Sequence, residues 1–294
     1  MLTKRQFGQD NIGYLLILPF YIFFFFFIIL PILMNLGLSF TRFDLRQLKF
    51  IGIRNYVHLF EDKFFVKALM NTGIYTFFTL IFTMVLALIV AVFLNQKVYL
   101  RKAYRTVFFL PYVISMVAAS MVWIWMYEPS QGIFNHFLAA LGIPKISFLH
   151  NAQWALPSII LMSIWKYLGY NMIIYLAGLQ TIPGYLYEAA TIDGASGVQK
   201  FFKITLPMLR PVTFFLFVTG LINNFNVFEQ VIIMTHGGPQ NSTTTLVHQI
   251  YTRAFYDFFM GYASAMAFVA VLIIAMITLL NFRYGNQGVD LDVG

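Results

Sequence analysis

Two groups of polar and small residues interrupt a chain that is otherwise 60% hydrophobic. The first is Glu188-Ala189-Ala190-Thr191-Ile192-Asp193-Gly194-Ala195, followed by Phe201, Phe202, Ile204, Leu206 and Pro207. Its chemistry is recognition rather than bond-making. Ala189, Ala190 and Ala195 let a foreign backbone come close, while Glu188 and Asp193 offer carboxylates to a partner's Arg or Lys. An amphipathic interfacial helix would account for a lone Glu-Ala-Ala, but not for the whole pattern. The second group lies inside apolar stretches: Trp165, Lys166, Tyr167, Gly169, Tyr170 and Asn171, then Asn223, Asn224, Asn226, Glu229 and Gln230. Aromatic faces beside amides suit a ligand rich in hydroxyls, and polar residues within membrane spans are costly enough to be informative. The competing reading is that each amide is interhelical glue, worth roughly 1 kcal/mol. Trp123, Trp125, Tyr127 and Trp154 fit interfacial aromatic belts better than a ligand platform.

Covalent chemistry finds no candidates. There is no cysteine, hence no disulfide, thiolate nucleophile or Cys-ligated metal. The histidines at 58, 136, 150, 236 and 248 form no His-x-x-x-His pair, and no Gly-x-Ser-x-Gly occurs. A Gly-x-x-x-x-Gly-Lys-Ser/Thr loop is also absent, so the chain supplies no nucleotide site of that kind. The net charge of +8 comes without a basic, aromatic-interleaved stripe in a soluble segment, which argues against nucleic acid. Asn241-Ser242-Thr243 fits a glycosylation acceptor only weakly and is set aside.

The elements that must hold these residues are membrane helices. Only 10% of the 294 residues are charged, against about a quarter in soluble domains. Six stretches have the roughly 20 apolar residues that a span requires. They run from about Ile12 to Leu38, Ala68 to Leu94, Val107 to Tyr127, Leu156 to Leu179, Met208 to Met234 and Ala263 to Phe282. Pro19 and Pro31 interrupt the first, which is too long for a cleavable signal and lacks its small-residue cleavage site. The runs are continuously apolar rather than alternating, so helices are expected and barrel strands are not. No fixed-period repeat and no inverted halves are visible. The loop from Arg42 to Lys67 is expected to fold on the membrane surface, and the loop from Glu128 to Trp154 to form short interfacial helices. The division expected is 1-66 (N-terminal tail, first span and outer loop), 67-284 (core) and 285-294 (tail).

Charge favours termini on the cytoplasmic side, though narrowly. That orientation puts Lys4, Arg5, Lys97, Arg101, Lys102, Arg105, Lys200, Lys203, Arg210 and Arg283 inside. Arg42, Arg46, Lys49, Arg54, Lys63, Lys67, Lys145 and Arg253 fall outside. The dense cluster from Lys97 to Arg105 weighs most, because short loops dominate the positive-inside rule.

The first polar group reads as a hairpin across one membrane face. Pro183 suits a first helical turn, and Gly194 is placed to end that helix in a left-handed conformation. Ser196 or Gly197 opens a second short helix to about Lys203, and Pro207 separates it from the fifth span. Leu186, Ile192, Phe201, Phe202 and Ile204 are expected to anchor the hairpin to its own spans.

This segment resembles the EAA loop of sugar-type ABC importer permeases, the maltose-permease-like branch. The similarity covers most of the chain: Arg105 to Pro111, Trp123 to Pro129 with Gly132-Ile133-Phe134-Asn135, Gly178-Leu179-Gln180-Thr181-Ile182-Pro183, Phe225 to Val231, Thr235-His236-Gly237-Gly238-Pro239 and Thr243-Thr244-Thr245. The resemblance implies an all-α polytopic membrane protein of the type I ABC importer permease fold, with six transmembrane helices and a cytoplasmic coupling hairpin. Coupling to the ATPase would rest on Glu188, Ala189, Ala190, Asp193, Gly194, Ala195, Ile204, Leu206 and Pro207. The implied partners are a second homologous permease, an ATPase dimer, an extracellular solute-binding protein and a carbohydrate. ATP and Mg would belong to the ATPases, leaving no cofactor in this chain and no enzymatic step. The hairpin would face the cytoplasm of a bacterial cell, and both termini with it.

Aligned on Leu168-Gly169 and Gly237-Gly238-Pro239, the ligand-contact positions of the maltose-type permease fall at Trp165, Leu168, Gly169, Met172, Gly220, Asn223, Asn224 and Val227. Leu168, Gly169 and Asn224 keep the relative's residue type and the others depart from it, which implies a different sugar. Tyr170 joins these as a candidate contact. Rival readings are a permease for another solute such as glycerol phosphate, a secondary transporter and an intramembrane enzyme. Anionic cargo would want cavity cations, and Lys166 alone qualifies; Glu229 could pair with it, or simply sit near the outer surface.

Overall fold

The structure, a computed structural model, describes residues 4–96 and 99–285. Lys97 of the basic cluster, residues 1–3 and residues 286–294 of the expected tail lie outside the described residues. The chain divides into two units, Met1–Glu61 with Ile250–Val269, and Asp62–Gln249 with Ala270–Gly294. Residues 250–269 group with the N-terminal unit.

In the first unit, α1 (Lys4–Phe24) passes through a π-helical turn (Phe25–Ile29) into α2 (Leu30–Ser39). Pro19 lies inside α1 and Pro31 in the first turn of α2, and neither ends the span, which runs on from Tyr14 to Ser39. An antiparallel hairpin of β1 (Thr41–Phe43) and β2 (Leu48–Phe50) follows, pairing Thr41 with Phe50 and Phe43 with Leu48. This hairpin is the one sheet among the described elements, which are otherwise helical. Its turn is set by Asp44, whose Oδ1 accepts from the amides of Arg46 (3.2 Å) and Gln47 (2.9 Å); these bonds hold its carboxyl below the usual carboxylate range. Asn55, on α3 (Arg54–Glu61), donates to the carbonyls of Ser39 (2.8 Å) and Thr41 (2.9 Å), folding the loop back on α2.

The second unit carries the polar groups. Its α4 (Lys63–Asn95) starts at an Asp62 cap that accepts from Phe64 N at 2.8 Å and Phe65 N at 3.4 Å. At 33 residues it is about 50 Å long, more than the hydrocarbon layer needs. It packs on α8 (Ala155–Thr181), with Ala87 and Ala91 fully buried along the seam and Leu80, Met172, Tyr175, Leu176 and Leu179 in one core. The loop between α6 and α8 contains α7 (Ile133–Ala140), the short helix expected there.

Four described helical stretches are long and apolar enough to span a membrane, and two bent pairs raise this to six. The third expected span is α5 (Arg101–Val113) and α6 (Met116–Met126), meeting at 99°. Ile114 and Ser115 are extended there, and Pro111 removes a helical donor just before the break. The fifth bends by 61° at Leu209, between Pro207 and Pro211. Its helix α12 (Arg210–Phe225) ends earlier than expected. Asn226 to Phe228 leave the helix and α13 (Glu229–Met234) is separate. The short helix α14 (Leu246–Tyr251) follows, and the last span is α15 (Met260–Gly285).

Candidate functional site

The hairpin forms as two short helices. Pro183 occupies the N-cap, one position before the first turn, and α9 runs Gly184–Ile192. Gly194 adopts φ +73°. Ala195 N donates to Ala190 O at 2.9 Å and Gly194 N to Thr191 O at 3.1 Å, the bond pair of a Schellman stop. Ser196 then caps α10 (Gly197–Lys200): its hydroxyl accepts from Gln199 N while the Gln199 side chain accepts from Ser196 N. A π-helical turn (Phe201–Thr205) and α11 (Leu206–Met208) return the chain to the membrane.

Internal bonds stiffen this element. Lys200 Nζ donates to Thr191 Oγ1 at 2.7 Å, and Tyr187 Oη bonds Thr205 Oγ1 at 2.9 Å. Leu186, Tyr187 and Ile204 pack on the α4–α8 core, while Leu206 and Pro207 are half-buried on the return path. Ile192 does not anchor the hairpin as expected: it is 87% exposed. It falls on the outer side of the last turn of α9, and Phe202 is exposed as well. Glu188, Ala189, Asp193 and Gly194 are exposed beside Ile192 and Val198, with Ala190 and Ala195 half-buried. The knuckle therefore presents two carboxylates, small residues and two large apolar side chains on a rigid turn. Where α8 reaches it, the Gln180 amide oxygen accepts from Arg105 Nη2 (3.0 Å) and Arg101 Nη2 (3.1 Å), tying the base of α5 to the hairpin's root.

The intramembrane polar groups meet around two cavities. The smaller, of about 100 Å³, is lined by Thr79, Leu80 and Thr83 of α4, Tyr112 of α5, Tyr167, Tyr170 and Asn171 of α8, and Leu216, Thr219, Gly220, Asn223 and Asn224 of α12. The larger, about 600 Å³, shares Tyr112, Tyr167 and Asn223 and adds Met116, Lys166, Asn226, Val227, Phe228, Glu229, Gln230 and Val247. Tyr112 stacks on Tyr170 with centroids 4.8 Å apart and planes 22° apart. Gln230 donates to Tyr75 Oη at 2.8 Å, and Asn226 Nδ2 to Ile222 O at 2.8 Å. Lys166 Nζ donates to the carbonyls of Pro111 and Tyr112, each at 2.9 Å, and of Ile114.

Of the sequence candidates, Asn223, Asn224, Gly220 and Tyr170 line the smaller cavity and Val227 the larger. Trp165, Leu168, Gly169 and Met172 line neither. Trp165 meets Trp123, ring centroids 5.5 Å apart. Met172 is buried in the α4–α8 core. Gly169 is where α5 crosses α8, and a Cβ there would collide with the Phe108 carbonyl oxygen. Thr79, Thr83 and Thr219 escaped the sequence reading. The α4 pair carried a signal in the spacing Thr72, Thr76, Thr79, Thr83, one polar stripe on an apolar helix.

The fold is that of a helical membrane permease, and the comparisons agree. Residues 83–287 match the family described as "Binding-protein-dependent transport system inner membrane component", and the chain belongs to that family. Its relatives are ABC transporter permeases. The probable ABC transporter permease protein YesP of Bacillus subtilis is 39% identical, covering 99% of this chain and 96% of the relative. YurN of the same organism, also a probable ABC transporter permease, is 35% identical over 94% and 97%. The sn-glycerol-3-phosphate transport system permease protein UgpA of Yersinia enterocolitica is 33% identical over 98% of each. Among solved structures, a bacterial ABC transporter for import of the acidic polysaccharide alginate matches with a TM-score of 0.85 and 28% identity, over 97% of this chain and 99% of that one.

Proposed function

We propose that this chain is one of two permease subunits of an ABC importer for an uncharged sugar or oligosaccharide. It sits in a bacterial cytoplasmic membrane with both termini inside and residues 67-284 as the permease core. Nucleotide and Mg belong to partner ATPases, and the chain performs no covalent step and holds no cofactor. ATPase closure moves the knuckle at Glu188, Ala189, Ala190, Asp193, Gly194 and Ala195, held to the bundle through Ile204, Leu206 and Pro207. The movement passes to α8 and α12, which flank the cavity, as a rigid-body rocking. A solute-binding protein delivers cargo from outside, as the alginate importer's crystal structure with an oligosaccharide-bound periplasmic protein suggests by analogy.

The observation that carries the cargo class is the cavity lining. It offers stacked tyrosines, amides and hydroxyls, and its charged side chains are Lys166 and Glu229. An ammonium has three protons to donate, and those of Lys166 are committed to three backbone carbonyls. Glu229 adds a negative charge. An anionic cargo would meet no available cation there. The second reading, glycerol phosphate, is favoured by the identity to the UgpA proteins. The test is uptake into cells carrying the chain with its partner subunits. Neutral radiolabelled oligosaccharides should enter and sn-glycerol 3-phosphate should neither enter nor compete. Uptake of the phosphate alone would favour the second reading.

A further inference from the structure

Lys166 lies inside α8 and is only 4% exposed, where an ionic side chain is costly unless paired. Its ammonium gathers three carbonyls, Pro111 O, Tyr112 O and Ile114 O, and all three belong to the break between α5 and α6. A helix end leaves its last carbonyls without intrahelical donors, and the hydrocarbon layer has no water to replace them. Lys166 takes the place of that water. The same ammonium stands 5.8 Å from the centroid of the Tyr112 ring, which stacks on Tyr170 and borders both cavities.

We propose that Lys166 is a positioning residue for the cargo path: it pins the α5–α6 break and so holds the Tyr112 ring in the cavity wall. The pin sits on α8, the helix that runs down to the docking hairpin, so a movement of α8 carries the break and Tyr112 with it. The importance of that wall rests on the reading of the cavities as the cargo path. The pin itself is tested without cargo, so the two ideas can fail separately.

The absence of cysteine allows single reporters. Met116→Cys reports from the first residue of α6, beside Lys166 in the larger cavity, and Asn226→Cys reports from another wall of it. Each is reacted with N-ethylmaleimide in the assembled importer in lipid nanodiscs. Lys166→Met should raise the rate at Met116→Cys about fivefold or more while Asn226→Cys stays within about twofold, as for a local opening. Lys166→Arg, which keeps donors, should bring Met116→Cys back to within about twofold of the parent. Should Lys166→Met fail to co-purify with its partners, Lys166→Gln is read by the same contrast. An unchanged Met116→Cys rate, an equal rise at both reporters, or no recovery in Lys166→Arg would overturn the assignment.

Discussion

The amide of Ala195 donates to the carbonyl of Ala190 at 2.9 Å, closing the turn that Gly194 makes possible at φ +73°. This bond ends α9 just past Ile192 and turns the chain toward Ser196. A Cβ at Gly194 would meet nothing within 4 Å. Alanine therefore costs only the left-handed backbone, about 1 kcal/mol. Gly194→Asp adds a third carboxylate to the knuckle. We expect Gly194→Ala to keep most transport, and Gly194→Asp to abolish it with normal membrane insertion, read by uptake beside quantified membrane fractions.

Gly169 makes the opposite prediction. Its Cβ position is taken by Phe108 O, with Phe109 Cα 2.8 Å away, so backbone rather than a pliable side chain must yield. Gly169→Ala should separate α5 from α8 and destabilise the protein by about 1–3 kcal/mol. A lowered Tm of the purified protein in detergent checks this. Were Gly169 only a cargo contact, the substitution would raise KM and leave Tm alone.

Thr83 is 3% exposed, and its hydroxyl has no hydrogen-bond partner in the structure. Replacing an unsatisfied buried hydroxyl with a methyl removes a desolvation cost. Thr83→Val should thus leave Tm unchanged or raise it slightly. Asn224→Ala, by contrast, is expected to raise the KM for cargo about tenfold, roughly the effect of one lost hydrogen bond to a ligand. Tm and uptake kinetics measured on both variants separate the two effects.

The segment that holds His248 carries a pH dependence. His248 is half-buried, with Nδ1 3.0 Å from Thr244 Oγ1, and its ring fills the space that Gly237 leaves by having no Cβ. Burial, and secondarily the charge of nearby His236, hold its pKa below that of a free imidazole. Protons then bind the unfolded chain more readily than the native one. Stability is complete above pH 6.5 and falls as pH drops through the lowered value. His248→Gln should flatten the Tm profile between about pH 7 and pH 5; an unaltered slope would exclude this histidine as the source.

Much of this architecture was legible in residue types. The Gly194 stop, the Ser196 cap and the long spans follow from local rules that need no tertiary context. The break at Ile114 was not legible, because Pro111 alone does not bend a helix by 99°. It is held open by Lys166, 52 residues away in sequence. The early end of α12 at Phe225 was hidden because apolar residues resume at Val231 to Met234, so the polar cluster was read as lying inside one span. Ile192 misled in the other direction: hydrophobicity suggested an anchor, yet its place on the helix turns it outward, where a partner can cover it. Among the cargo candidates, sequence placed Asn223 and Asn224 near the cavity. Gly169 could not be read as a crossing point without the path of α5.

The central claim is that the knuckle couples this bundle to an ATPase inside the cell, and topology tests it most directly. A single Asp193→Cys in the cysteine-free chain should resist a membrane-impermeant maleimide added to intact cells, react once the cells are opened, and crosslink to the ATPase subunit. Labelling of Asp193→Cys from outside intact cells, with no crosslink to the ATPase, would contradict the account.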